Sequence, residues 1–193
     1  MMLPQVPDDS ALPVRIKGSE FDLDKWRYRA DRRRTRLMKR GYSELAALQQ
    51  LAYDLKVIRS LSILVDWCQK RGLTVLFGKH ENGTYDERYK TIVIAANALP
   101  EKQIFYLLHE CGHHLVFSHP GDPNRFEMGY SKTDKSVTRT FQHRLACLEE
   151  ELESWQRGRS LAKKLKLKFD EGNLEKLRIH CLASYVKWSC KKK

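Results

Sequence analysis

A chain of 193 residues is long enough for one domain with a substantial hydrophobic core and appended arms. With 41% hydrophobic and 31% charged residues it reads as globular, and it holds no apolar run of the roughly 18 residues that a membrane span needs. The net charge of +12 sits at the ends: residues 25–40 carry nine basic residues against one acid, residues 157–193 carry twelve against three, and the remainder is net acidic.

Such basic ends suit contact with nucleic acid or an acidic partner, or simply keep the chain soluble. The N-terminus has no apolar segment behind a basic start, so no secretory signal is read, and the expected location is cytoplasmic. Five cysteines without a C-x-x-C pair point to reduced, buried thiols rather than a disulfide framework.

In chain order, residues 1–20 hold three prolines and few large apolar groups, and are expected to be disordered or loosely docked. The arginine-rich stretch 25–40 is a candidate helix ending at Gly41. Ser43 then caps a second helix, in which Leu48, Leu51, Leu55, Ile58, Ser62 and Val65 form a stripe expected to face the core up to Gly72. The β-branched runs 73–77 and 90–96 read as two strands joined by a turn at Asn82 and Gly83. Pro100 fits the first turn of a helix over 100–118, which His119, Pro120 and Gly121 end. A long loop precedes a helix over roughly 136–166. A last helix over about 172–188 has Leu174, Leu177, Cys181, Tyr185 and Trp188 in register. The fold class expected is α+β, a small sheet covered by helices with basic extensions.

The third of these helices contains His109-Glu110-Cys111-Gly112-His113, an H-E-x-x-H motif. Residues four apart share a helix face, so both imidazoles can reach one ion. Glu110, turned by about 100°, falls beside an open coordination position. There a carboxylate can take a proton from water made acidic by zinc. Ile104, Leu107, Leu108, Cys111 and Leu115 keep helical spacing through the motif, and a strand directly precedes its helix. Gly112 costs about 1 kcal/mol in a helix interior, which predicts that something packs very closely against it. His114 is expected to face away from the metal side.

A catalytic zinc needs a third protein ligand. His119 follows His109 at the spacing of H-E-x-x-H-x-x-G-x-x-H, but Val116 stands where that pattern has glycine, and a β-branched residue resists the left-handed turn. The other candidates are the acids of residues 149–153. If Phe141, Leu145, Leu148, Leu152 and Trp155 form the buried stripe, Glu149 and Glu151 flank it by about 80°. Glu153 then lies further round and Glu150 points directly away. Spacing alone leaves Glu149 or Glu151.

"LLHECGHHL" followed by this acidic helix resembles the ImmA/IrrE-like metallopeptidases of the gluzincin division of zincins, over roughly residues 44–166. Members carry H-E-x-x-H and then E-x-E-A, which falls here on Glu151-Leu152-Glu153-Ser154. "EELESWQRGRSLAKKL" is similar to versions in phage-encoded proteins of this type. The chain departs from the familiar apolar continuation at Trp155, Gly158 and the lysine-rich run. The resemblance implies a minimal zincin-like domain over 44–168, between a flexible basic arm (1–43) and a C-terminal helix with a basic tail (169–193). It implies Zn2+ held by His109, His113 and Glu151, water activated by Glu110, and a regulatory protein as substrate, such as a helix-turn-helix repressor. Tyr130 and His143 are candidate oxyanion donors. Two other readings stay open. One is a protease recruited to DNA through 25–40 and the C-terminal tail. The other is a non-enzymatic zinc protein, with Cys111 and Cys147 near the site, that binds nucleic acid or an acidic host protein.

Overall fold

The computed structural model describes residues 22–78, 83–118, 129 and 140–190. Among them run, in order, α1 (Leu23–Lys39), α2 (Glu44–Gln69), β1 (Thr74–Gly78), β2 (Thr84–Asp86), β3 (Thr91–Ala95), α3 (Pro100–Ser118), α4 (Phe141–Lys164) and α5 (Glu171–Ser189). The architecture is mixed α+β. The expectations for residues 1–20, Asn82, the stop at His119, Pro120 and Gly121, and the loop and helix start up to residue 139 lie outside the described residues.

Local chemistry sets the helix ends. Asp22, Ser43, Thr140 and Asp170 each accept the backbone N–H three residues on, satisfying a donor that the first turn leaves over. Gly41 and Gly72 follow α1 and α2 with φ of +87° and +72°, the left-handed conformation that glycine adopts without cost.

The stripe expected on α2 is rotated. Leu48 and Leu55 are 42% and 40% exposed, while Ala47, Asp54, Ile58, Leu61, Val65 and Cys68 face inward. The reason is α1, which packs on the first half of α2 with Trp26 and Ala30 in the core. Buried Asp54 is held there by Arg33 at 2.8 Å and by Gln50 at 2.8 Å. Part of the basic run 25–40 is thus engaged with the rest of the domain: Arg33 pairs with buried Asp54, and the exposed Arg29 donates to the carbonyl of Ala96 at 2.8 Å.

The strands also differ from expectation. β1 and β3 are not a hairpin; they pair in parallel, with Thr74 opposite Thr91 and Gly78 opposite Ala95. The segment between them supplies β2, antiparallel to β3, and the sheet order is β1-β3-β2. β3, all five residues buried, reads as an unbroken apolar run because it is the central strand. β2 is an edge. Its turn to β3 is closed by the Asp86 side chain, which accepts Tyr89 N–H at 3.0 Å.

α2 and α3 lie against the sheet through Ile58, Leu61, Leu64, Ile92, Ile94, Ile104, Leu107 and Leu108. Burial of each such side chain contributes about 1.5–3 kcal/mol. At the start of α3, Glu101 joins three elements: its carboxylate accepts from the Tyr53 hydroxyl, from Asp170 N–H at 2.9 Å and from Asn173 Nδ2 at 3.2 Å. The histidine helix is therefore tied at its N-terminus to α2 and to the start of α5.

Candidate metal centre

α3 and α4 touch backbone to backbone. A Cβ on Gly112 would lie 1.9 Å from the carbonyl oxygen of Ser154, and one on Gly158 would lie 2.3 Å from that of Leu108. No side chain fits at either place. The close contact expected at Gly112 is real, and Gly158 repeats it one turn away. Together the glycines set the register of the two helices and bring residue 151 level with residues 109 and 113.

In that register His109, His113 and Glu151 form a buried cluster that could hold a metal ion. The Nε2 atoms of the two imidazoles are 3.2 Å apart. Glu151 Oε2 is 3.2 Å from His109 Nε2, and Oε1 is 3.3 Å from His113 Nε2. Tetrahedral coordination with bonds of about 2.0–2.1 Å has edges of about 3.3–3.4 Å, so the spacing suits an ion of that size. Two imidazoles and a carboxylate, with no sulfur, form a donor set that suits zinc. Trp155 stacks on the His109 ring, 4.4 Å between centroids and 24° between planes, and holds its orientation.

The electrostatics favour a cation. Burial would push the Glu151 carboxyl up, but hydrogen bonds to His109 and His113 outweigh it and hold the group well below the usual carboxylate range. Burial would likewise push His113 down. The carboxylates of Glu151, Glu110 and Glu150 reverse this and raise it to about 9. Without a metal, the cluster holds a proton instead.

Glu110 is buried next to the cluster. Burial raises its pKa, with Glu151 adding to the effect and His109 and His113 opposing it. Gly83, just before β2, lies directly over it: a Cβ there would be 2.8 Å from Glu110 Oε1. The edge of the sheet and the carboxylate thus share one wall of the site.

Of the other acids, Glu149 is exposed and Glu153 pairs with Arg157 at 2.8 Å. Glu150 corrects the sequence reading: it does not point away but is 0% exposed, with Oε1 3.9 Å from His113 Nδ1. Only the start of the stripe used to place it faces outward: Phe141 and Leu145 are 59% and 42% exposed, whereas Leu148 and Leu152 are partly buried against the core and Trp155 is buried. The inner face is made of Ala146, Cys147, Glu150, Glu151, Ser154 and Gly158. In the first half of α4 burial falls on small and polar side chains rather than on the large apolar ones, because close contact with α3 leaves room only for small residues.

His114 faces the other way, with Nδ1 3.1 Å from the Tyr85 hydroxyl and its ring edge-on to Trp67. His143 is buried against Cys147, 3.5 Å from its Nε2, and against Trp188. It lies eight residues before Glu151, about 12 Å along the axis, so it is not brought to the ligand cluster. Cys111 meets Cys68, Sγ to Sγ 3.4 Å, on the core side of α3. Tyr130 and His119 lie outside the described residues. Sequence reasoning missed Gly83, and it missed Ser154, whose hydroxyl is 3.0 Å from His113 Nδ1.

No protein-family model, curated protein or solved structure matches this chain. Among the described residues no helix is long and apolar enough to cross a membrane.

Proposed function

We propose that the chain is a zinc-dependent metallopeptidase with a zincin-like domain, of the kind its motif resembles in the ImmA/IrrE-like group. The observation that carries this is the convergence of His109, His113 and Glu151 with Glu110 buried alongside. His109, His113 and Glu151 would hold the ion. Zinc supplies a Lewis acid that polarises a carbonyl and brings the pKa of water towards 7. Glu110 accepts the proton of the attacking water and returns it to the departing amide nitrogen, so that no net proton is gained or lost. Burial raises its pKa, the direction that favours a carboxylate acting as a proton acceptor. The edge strand β2, beside Gly83 and Glu110, offers an extended substrate a backbone to pair with.

The substrate class in this reading is one regulatory protein, such as a DNA-binding repressor, cut in the cytoplasm. The cationic outer face of α1, including Arg32, Arg36, Lys39 and Arg40, supports a variant in which the protease is recruited to DNA. Binding to duplex DNA that weakens steeply with salt would mark that variant.

Metal content measured by plasma mass spectrometry tests the core claim. About one zinc per chain is expected, retained in the exposed Glu149→Gln variant and lost in Glu151→Gln. Glu110→Gln should keep its zinc and lose peptide hydrolysis. Zinc retained by Glu151→Gln would overturn the ligand set; hydrolysis retained by Glu110→Gln would turn the site into a structural one.

A further inference from the structure

Ser154 follows Glu150 by one helical turn and is fully buried between α4 and α3. Its Oγ makes two contacts, 2.8 Å to the backbone carbonyl of Glu150 and 3.0 Å to Nδ1 of His113. A serine hydroxyl has one proton, and a carbonyl can only accept. The proton therefore goes to the Glu150 carbonyl, as for any serine bonding back along its helix. A lone pair of Oγ is left for His113, so Nδ1 carries the hydrogen and donates it.

The consequence falls on the far side of the ring. An imidazole that donates from Nδ1 has Nε2 available as a ligand atom. Nε2 of His113 is the atom that stands 3.2 Å from Nε2 of His109 and 3.3 Å from Oε1 of Glu151. Oε1 of Glu150, 3.9 Å from the same Nδ1, is beyond hydrogen-bond reach, whereas the Ser154 hydroxyl stands at 3.0 Å. The backbone of Ser154 is also what Gly112 abuts, so the contact that sets the helix register carries the hydroxyl to its place.

We infer that Ser154 is a positioning residue for the metal centre: donating to the Glu150 carbonyl, it accepts the Nδ1–H of His113 and so fixes the rotation of that ring and the aim of its Nε2. This role rests on the metal-site reading above. Partners of this kind, one bond behind the ligand, commonly tune metal affinity about 10–100-fold.

The test is Ser154→Ala, which removes one oxygen and places the best helix former on a helix. Zinc affinity would be read by competition with a chromophoric chelator, and the His113 Nδ1–H by proton NMR. The expected result is zinc bound about tenfold more weakly, with the slowly exchanging, downfield Nδ1–H resonance of the parent lost in the variant. The melting temperature of the metal-free protein, measured in parallel, should stay within a few degrees. Equal zinc affinity with the protected resonance still present would overturn the role, since another group would then be holding Nδ1. A parent that binds no zinc would overturn the metal-site reading and this role with it. That failure is recognisable, because the resonance would still depend on Ser154.

Discussion

α3 carries His109, His113 and His114 within six positions, and its two faces use them in different ways. Towards α4, two imidazoles meet a buried carboxylate and form a group able to hold a cation. Towards the sheet, the third meets a phenol hydroxyl and the edge of an indole. The residue type is the same and the neighbours differ by one step along the helix, about 100° of rotation. Ligand character is thus set by the opposing element. Glu151 gives one face a group that could hold a metal ion, and Tyr85 ties the other to β2.

The sharpest way to break that comparison is to push α4 away. Gly112→Ala adds a single methyl group where 1.9 Å separates it from the Ser154 carbonyl oxygen. Backbone cannot yield as a flexible side chain can, so a loss of about 3 kcal/mol or more is expected. In a chain of this size that is a fall in melting temperature of about 6–12 °C. Bound zinc should fall with it, while the His114 face stays in place because α3 remains seated on α2 and the sheet. A variant with unchanged melting temperature and zinc content would show that the helix contact does not set the register.

This contact also explains which parts were legible in the sequence. Four-residue spacing placed His109, His113 and Glu110 on one helix, and a glycine inside that helix announced a close neighbour. The orientation of α4 was not legible. The line from Phe141 through Leu145, Leu148 and Leu152 to Trp155 is its most apolar, yet its first two residues are exposed and only Trp155 is buried. The face in contact carries Ala146, Ser154 and Gly158, whose small size is what lets the backbones meet and whose apolar signal is weak. Glu150 was misplaced for this reason, although Glu151 lay within reach under either orientation. On α2 the same bias favoured Leu48 and Leu55 over Ala47 and Asp54, because the packing of α1 could not be read from periodicity. Parallel pairing of β1 with β3 was hidden because pairing direction depends on the path of the intervening chain, and that path holds a strand of only three residues.

A second prediction separates the faces by pH. His113 has its pKa raised to about 9, against the effect of its burial, by the carboxylates of Glu151, Glu110 and Glu150. Raised means that the protonated ring is favoured, so below about 9 a metal must displace that proton to reach Nε2. Apparent zinc affinity should therefore rise with pH, by about tenfold per unit between pH 7 and 8.5, or about 1.4 kcal/mol per unit. The slope should lessen as pH passes the His113 value. Competition with a chelator of known pH dependence would measure it, and a flat profile would remove His113 from the ligand set.

The smallest effect belongs to the other face. Tyr85→Phe removes the hydroxyl 3.1 Å from His114 Nδ1 and leaves the ring that packs against it. Tyr85 is half-buried, and burial, with Glu87 and Asp86 adding to it, pushes its pKa up to about 12, so at neutral pH the hydroxyl is intact as a hydrogen-bond partner. Losing one neutral hydrogen bond costs about 1 kcal/mol, a fall in melting temperature of about 2–4 °C. Zinc affinity should not change, because the Tyr85 hydroxyl meets His114 on the face of α3 away from Glu151 and α4 is untouched. A drop of tenfold or more would mean that the tie to β2 is transmitted through α3 to His113, and that the two faces act as one. If affinity holds while peptide hydrolysis slows, β2 is placed in the path of the substrate, which is the role suggested by its edge position among the described strands, beside Glu110.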